Sequence, residues 1–157
     1  LRENGAAVIT VTDFRWGRCD IKTIQLLPNV MAKQQAIDSG SFDAVFVSDD
    51  GVVREATSSN FFIVSAKRLV THPLTERILA GITRKVLLEI AAARKMPVEE
   101  RFFTLEEVFS ADEAFLCGTT TEVLPVAAVD GTPVGSGAVG PVSKRLFAAL
   151  RQEAERK

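Results

Sequence analysis

The chain has 157 residues, 46% hydrophobic and 25% charged, with 19 basic against 20 acidic side chains and a formal net charge of -1. This is enough chain for one compact domain with its own core. The balanced charge argues against a nucleic-acid or membrane-surface partner, while small anionic ligands need only local positive potential and stay open.

No apolar run is long enough to span a bilayer, and the N-terminus carries no signal-peptide pattern. The first residue is Leu1, so a processed product and part of a longer protein both remain open. Cys19 and Cys117 are far apart and form neither a disulfide framework nor a metal motif, which fits a reducing, cytoplasmic setting. The single histidine, His72, cannot anchor a multi-histidine metal site, and a Ser-His triad would have to use it. Lying before Pro73, it is expected in an exposed loop.

The β-branched alternation from Ala6 to Thr12 predicts a strand, and Asp13 to Gly17 a turn. Arg18 to Leu27 reads as a second strand entering an apolar core. Pro28-Asn29 opens a helix from Val30 to Ser39, closed by Gly40. Ala44 to Ser48 and Val52 to Arg54 are strands joined by the turn Asp49-Asp50-Gly51. Phe61 to Val64 and Arg68 to Thr71 form another hairpin. A long helix follows from about Ile82 to Lys95, with Val86, Leu87, Ile90 and Ala91 on one face. Thr104 to Glu107 is a capping box for a short helix. Ala114 to Cys117 and Val123 to Val129 are strands, Asp130-Gly131 is a turn, and Pro141 begins a terminal helix. The expectation is one α/β domain, residues 1–157, of mixed and mostly antiparallel strands with interspersed helices.

Lys22 lies in the predicted second strand. A lysine there either snorkels to water or is buried for chemistry. Burial disfavours the ammonium and leaves a nucleophilic amine. Glu55 is followed by Ser58, Ser59 and Asn60, just before an apolar strand. It reads either as an exposed glutamate before a turn or as a carboxylate held ionised by that polar cluster. Gly81-Ile82-Thr83 opens the long helix, where unpaired amides face an anion readily. Gly118-Thr119-Thr120-Thr121 is a second turn of glycine and hydroxyls. The plain readings are a capped helix and a β-turn. Should the two turns converge, they would form a phosphate cup.

Together these pieces suit pyridoxal phosphate: an amine to bind it, a carboxylate for its pyridine nitrogen and a cup for its phosphate. Glu55-Ala-Thr-Ser-Ser-Asn60-Phe-Phe, then Thr71, then Leu79-Ala-Gly81-Ile-Thr83-Arg84 resembles the signature of class IV pyridoxal-phosphate aminotransferases. Arg18-Cys-Asp-Ile-Lys22 and Leu27-Pro-Asn-Val-Met-Ala-Lys33-Gln34 look most like the D-amino-acid aminotransferases of that family. The similarity runs over nearly the whole chain.

The resemblance implies the roles. Lys22 matches the Schiff-base lysine, and Glu55 the carboxylate at the pyridine nitrogen. Ser58 and Ser59 match hydroxyls that support the cofactor and the Glu55 network. Leu79 matches the aliphatic residue packed on the ring. Gly81, Ile82, Thr83, Thr119 and Thr120 match the phosphate-binding turns, whereas Gly118 stands where a hydroxyl residue is expected. The resemblance also implies amino-acid and 2-oxo-acid substrates, such as 2-oxoglutarate, and a homodimer. It further implies an N-terminal domain before the matched segment, supplying an arginine to the phosphate and a trap for the substrate carboxylate. This chain shows no counterpart of that domain, so alone it is expected to be incomplete. Branched-chain aminotransferase and aminodeoxychorismate lyase share the same site residues and stand as alternatives. A non-catalytic binding module is the rival of another class, and the retained Lys22 and Glu55 speak against it.

Overall fold

The computed structural model describes residues 2–155. Its strands are β1 (Ala6–Thr12), β2 (Asp43–Val47), β3 (Val53–Ala56), β4 (Asn60–Ser65), β5 (Arg68–Thr71), β6 (Val98–Glu100), β7 (Glu113–Gly118), β8 (Glu122–Val129) and β9 (Thr132–Pro133). Its helices are α1 (Leu27–Asp38), α2 (Ile82–Ala93), α3 (Leu105–Ser110) and α4 (Pro141–Glu155). The strand order is β3-β2-β1-β8-β7-β4-β5-β6, with β9 beside β8. β4 also pairs back onto β3 through Asn60 and Glu55, so six strands close into a ring. Three pairs are parallel, β1 with β2, β1 with β8 and β5 with β6; the others are antiparallel. The mixed, mostly antiparallel α/β architecture matches the expectation.

The apolar run of β4 is buried on both faces. Phe61 and Ile63 join Val8, Val45, Leu116 and Val126 in one core, while Phe62 and Val64 join Leu87, Phe115 and Leu146 in another. This period-two division is what a strand requires when both faces are covered. α2 and α4 cover the second core, and the small residues Ala32 and Ala36 let α1 sit close on Ala44 and Phe46. Among the described residues, no helix is long and apolar enough to cross a membrane.

Two expectations fail. Arg18 to Leu26 forms no strand, and Lys22 is exposed. β1 already pairs with β2 on one edge and β8 on the other, so the ring offers this segment no partner. Its apolar side chains face outward instead, with Ile24 98% exposed. His72 is not in an exposed loop but only 2% exposed. Its Nδ1 lies 2.8 Å from the Pro73 carbonyl oxygen and its ring meets Phe102 edge-on. The buried Arg84 donates to the His72 carbonyl at 2.9 Å, drawing the start of the loop against the core. Burial lowers the His72 pKa below the ordinary imidazole value. Smaller shifts occur at element ends: α1 begins at Leu27 with proline in its first turn, a position that tolerates the missing amide.

Candidate active site

A cleft of about 1030 Å³ opens where the irregular segment, α1, the β3–β4 turn and the N-terminus of α2 meet. Lys22, Glu55, Ser58, Ser59, Leu79, Gly81, Ile82, Thr83 and Thr119 all line it. The two glycine-hydroxyl turns therefore converge, which spacing alone cannot reveal. Thr120 is exposed in the second turn and is not part of the lining.

Lys22 stands on the wall, in chain pinned by the Cys19 amide donating to the Glu76 carbonyl at 2.7 Å. The predicted strand is thus replaced by irregular chain, and of the two readings of Lys22 the exposed one holds. Lys33 is a second lysine of the lining; its amine donates to the Phe42 carbonyl and lies 3.6 Å from Asp43.

Glu55, on β3, is 6% exposed, so the exposed-glutamate reading is set aside. Its carboxylate accepts from the Arg15 guanidinium at 2.6 Å, Asn60 Nδ2 at 3.0 Å and the Leu79 amide at 3.0 Å. Burial pushes its pKa up to about 7, against the opposing pull of Arg15 and the Leu79 amide. The serines are not in this network. Ser58 is exposed on the cleft wall, and Ser59 Oγ lies 3.1 Å from Thr121 Oγ1. Asn60 is the member of the polar cluster that reaches Glu55.

Arg15 and Asp13 are absent from the sequence-based site. Asp13 accepts from Arg15 Nε at 2.9 Å and also from Arg54. Burial alone would raise the Asp13 pKa; its bonds to Arg15 and Arg54 outweigh this and lower it. The local sequence offers only an acid and a base two apart just beyond β1; the partner that gives them meaning, Glu55, lies far along the chain.

At α2, the N-cap is Gly81 and no side chain caps the first turn. A Cβ on Gly81 would run into Asn60 Oδ1, and one on Gly118 would come within 2.9 Å of Thr121 Oγ1. Both glycines therefore let polar side chains crowd close to the wall. The cleft thus joins an amine, a buried carboxylate and an uncapped helix N-terminus.

The family model for class IV amino-transferases matches residues 5–129. The D-alanine aminotransferase of Bacillus licheniformis is 44% identical over 150 residues, covering 96% of this chain and 53% of that protein. The D-alanine aminotransferase of Staphylococcus haemolyticus is 42% identical over 144 residues, covering 92% and 51%. The solved branched-chain amino acid aminotransferase from Thermobaculum terrenum, in its PLP form, superposes with a TM-score of 0.85 at 29% identity, covering 96% of this chain and 51% of that one. The branched-chain enzyme of Escherichia coli gives 0.81 at 29% identity, covering 94% and 52%. The chain spans about half the length of the curated relatives it matches.

Proposed function

The chain belongs to the class IV aminotransferases, and from that membership we propose that residues 1–157 are the cofactor-binding domain of a pyridoxal-phosphate-dependent D-amino-acid aminotransferase. The whole protein would move the amino group of a D-amino acid to a 2-oxo acid such as 2-oxoglutarate. The observation that carries the D-specific reading is the 44% and 42% identity to D-alanine aminotransferases.

The cleft fits the cofactor. Its uncapped α2 N-terminus offers amides and the Thr83 hydroxyl to a phosphate. Gly81, Ile82 and Thr119 complete that cup, with Thr120 behind it in the second turn. Leu79 would pack on the ring, and Ser58 and Ser59 would support the cofactor from the β3–β4 turn. The bound cofactor supplies an electron-withdrawing ring that stabilises negative charge at the substrate α-carbon. Lys22 would hold it through its amine until the substrate amine displaces that bond, and the freed Lys22 Nζ would then carry a proton from the substrate α-carbon to the cofactor carbon. The Glu55 carboxylate keeps a proton on the ring nitrogen. Groups that bind the substrate carboxylate come, in this reading, from outside these residues.

A homodimer is part of the proposal. Ile24, Leu27, Val30, Met31 and Ile37 are exposed, an apolar surface of the kind that subunits cover. The free Cys19 and Cys117 support a reducing, cytoplasmic setting.

The solved branched-chain enzymes favour a second reading, in which the substrate is a branched-chain L-amino acid. Assaying the whole protein with 2-oxoglutarate against D-alanine and L-leucine separates the two. D-alanine should be the better substrate; preference for L-leucine would replace the first reading with the second.

A further inference from the structure

We propose that Arg15 is the positioning residue of this site: braced by Asp13, it holds the Glu55 carboxylate in one orientation and favours its ionised form for the ring nitrogen of the cofactor. The proposal deepens the cofactor reading above and rests on it.

The guanidinium is fixed from every side. Nε and one terminal nitrogen donate to the two oxygens of Asp13, both at 2.9 Å. That same terminal nitrogen reaches the Arg77 carbonyl at 3.0 Å, and the other donates to Glu55 Oε1 at 2.6 Å. The group also lies 4.2 Å over the Phe46 ring. The side chains of Arg15 and Asp13 are 4% and 1% exposed, so water does not compete for these bonds. A planar fork satisfies these directions at once, whereas a lysine presents one point charge.

Asp13 in turn accepts from Arg54, which steadies the brace. The charged and titratable groups near Glu55 are Arg15, Asp13 and Cys19 from the segment after β1 and Arg54 from its own strand. Asn60 on β4 and the Leu79 amide are neutral donors. Of these, Arg15 is the cation in contact with the carboxylate. A carboxylate has about four acceptor positions, which leaves room for the ring N–H beside these donors.

The test titrates Glu55 by NMR in the whole protein with isotope-labelled glutamate carboxyls, both as isolated and stripped of cofactor. Loss of the signal in Glu55→Gln assigns it. In Arg15→Gln the carboxyl should titrate about 1 to 3 pH units higher than in wild type, with Arg15→Lys between them. A merely structural arginine would alter thermal unfolding and leave this titration in place. Wild-type titration in a folded Arg15→Gln protein overturns the proposal. Should that variant fail to fold, wild-type titration in Arg15→Lys overturns it equally. The stripped protein reads the coupling without the cofactor, and borohydride trapping on wild type reads the cofactor independently of the Arg15 titration. Trapping on Lys22 with an unmoved titration defeats only the Arg15 proposal. A moved titration without trapping defeats the cofactor reading and the role built on it, leaving only the electrostatic coupling.

Discussion

Helix α4 begins against a carboxylate of its own chain, whereas helix α2 begins at an open cleft. The buried Glu113 accepts from the Val142 amide at 2.8 Å, the Ser143 amide at 2.9 Å and Ser143 Oγ at 2.8 Å. Those contacts satisfy the positive end of α4 internally. The first turn of α2 carries no acidic residue and no side-chain cap. The two helices pack against one another, so their different starts are not a matter of layer; the start of α4 is buried on its acid, whereas Ile82 at the start of α2 is exposed. A helix end closed by its own acid serves stability; an end kept open beside a lysine and a buried carboxylate is available to an anionic ligand. The glutamates divide in the same way, Glu113 into the frame and Glu55 toward the cleft.

The largest effect is expected on the open side. In the whole protein, Lys22→Ala should lower the proposed amino transfer by roughly 10²- to 10⁴-fold, the range for a removed acid–base group. Because Lys22 is exposed, thermal stability should move by less than about 0.5 kcal/mol. Steady-state rates with calorimetry check both halves, and an unfolded variant would place Lys22 in the frame.

On the closed side, Glu113→Ala should cost about 3 kcal/mol of stability by orphaning buried donors. Turnover per folded molecule should hold. Denaturant unfolding measures the first, and a cost below about 1 kcal/mol would show that α4 does not depend on its internal acid.

The pH dependence is expected to report Glu55. Burial holds Glu55 at about 7, above its ordinary 4.5, so the folded state binds this proton more tightly than the unfolded chain does. With cofactor removed, stability should fall as pH rises between those values, by up to about 3 kcal/mol, then level off. Glu55→Gln should flatten this portion of the profile. An identical slope in the variant would remove Glu55 as its source.

The smallest effect is expected of one hydroxyl of the proposed cup. Thr83→Ala should weaken cofactor binding about five-fold, near 1 kcal/mol, because the backbone amides remain. Equilibrium dialysis of the whole protein against pyridoxal phosphate measures it; unchanged affinity would leave the amides as the sole contacts.

The elements were legible wherever one strand or helix carried its own pattern. The alternation of Ala6 to Thr12, the capping box at Thr104 and the apolar face of α2 all stand as read. Failures came where the outcome depended on neighbours. Ile21, Ile24 and Leu26 look like a core strand, but both edges of β1 were taken, information that resides in β2 and β8. Arg15 escaped notice because its meaning depends on Glu55, far along the chain, and on the aromatic face of Phe46. Within the site, local motifs identified Glu55 and the α2 turn, while their convergence required the closed ring.

The most direct test of the account is borohydride reduction of the whole protein in the presence of pyridoxal phosphate, followed by peptide mapping. The open α2 turn, Glu55 and Lys22 line one cleft, so the cofactor adduct should lie on the peptide that holds Lys22. Lys33 lines the same cleft but is already engaged by Phe42 and Asp43. An adduct on Lys33, or none at all, would contradict the assignment of this cleft.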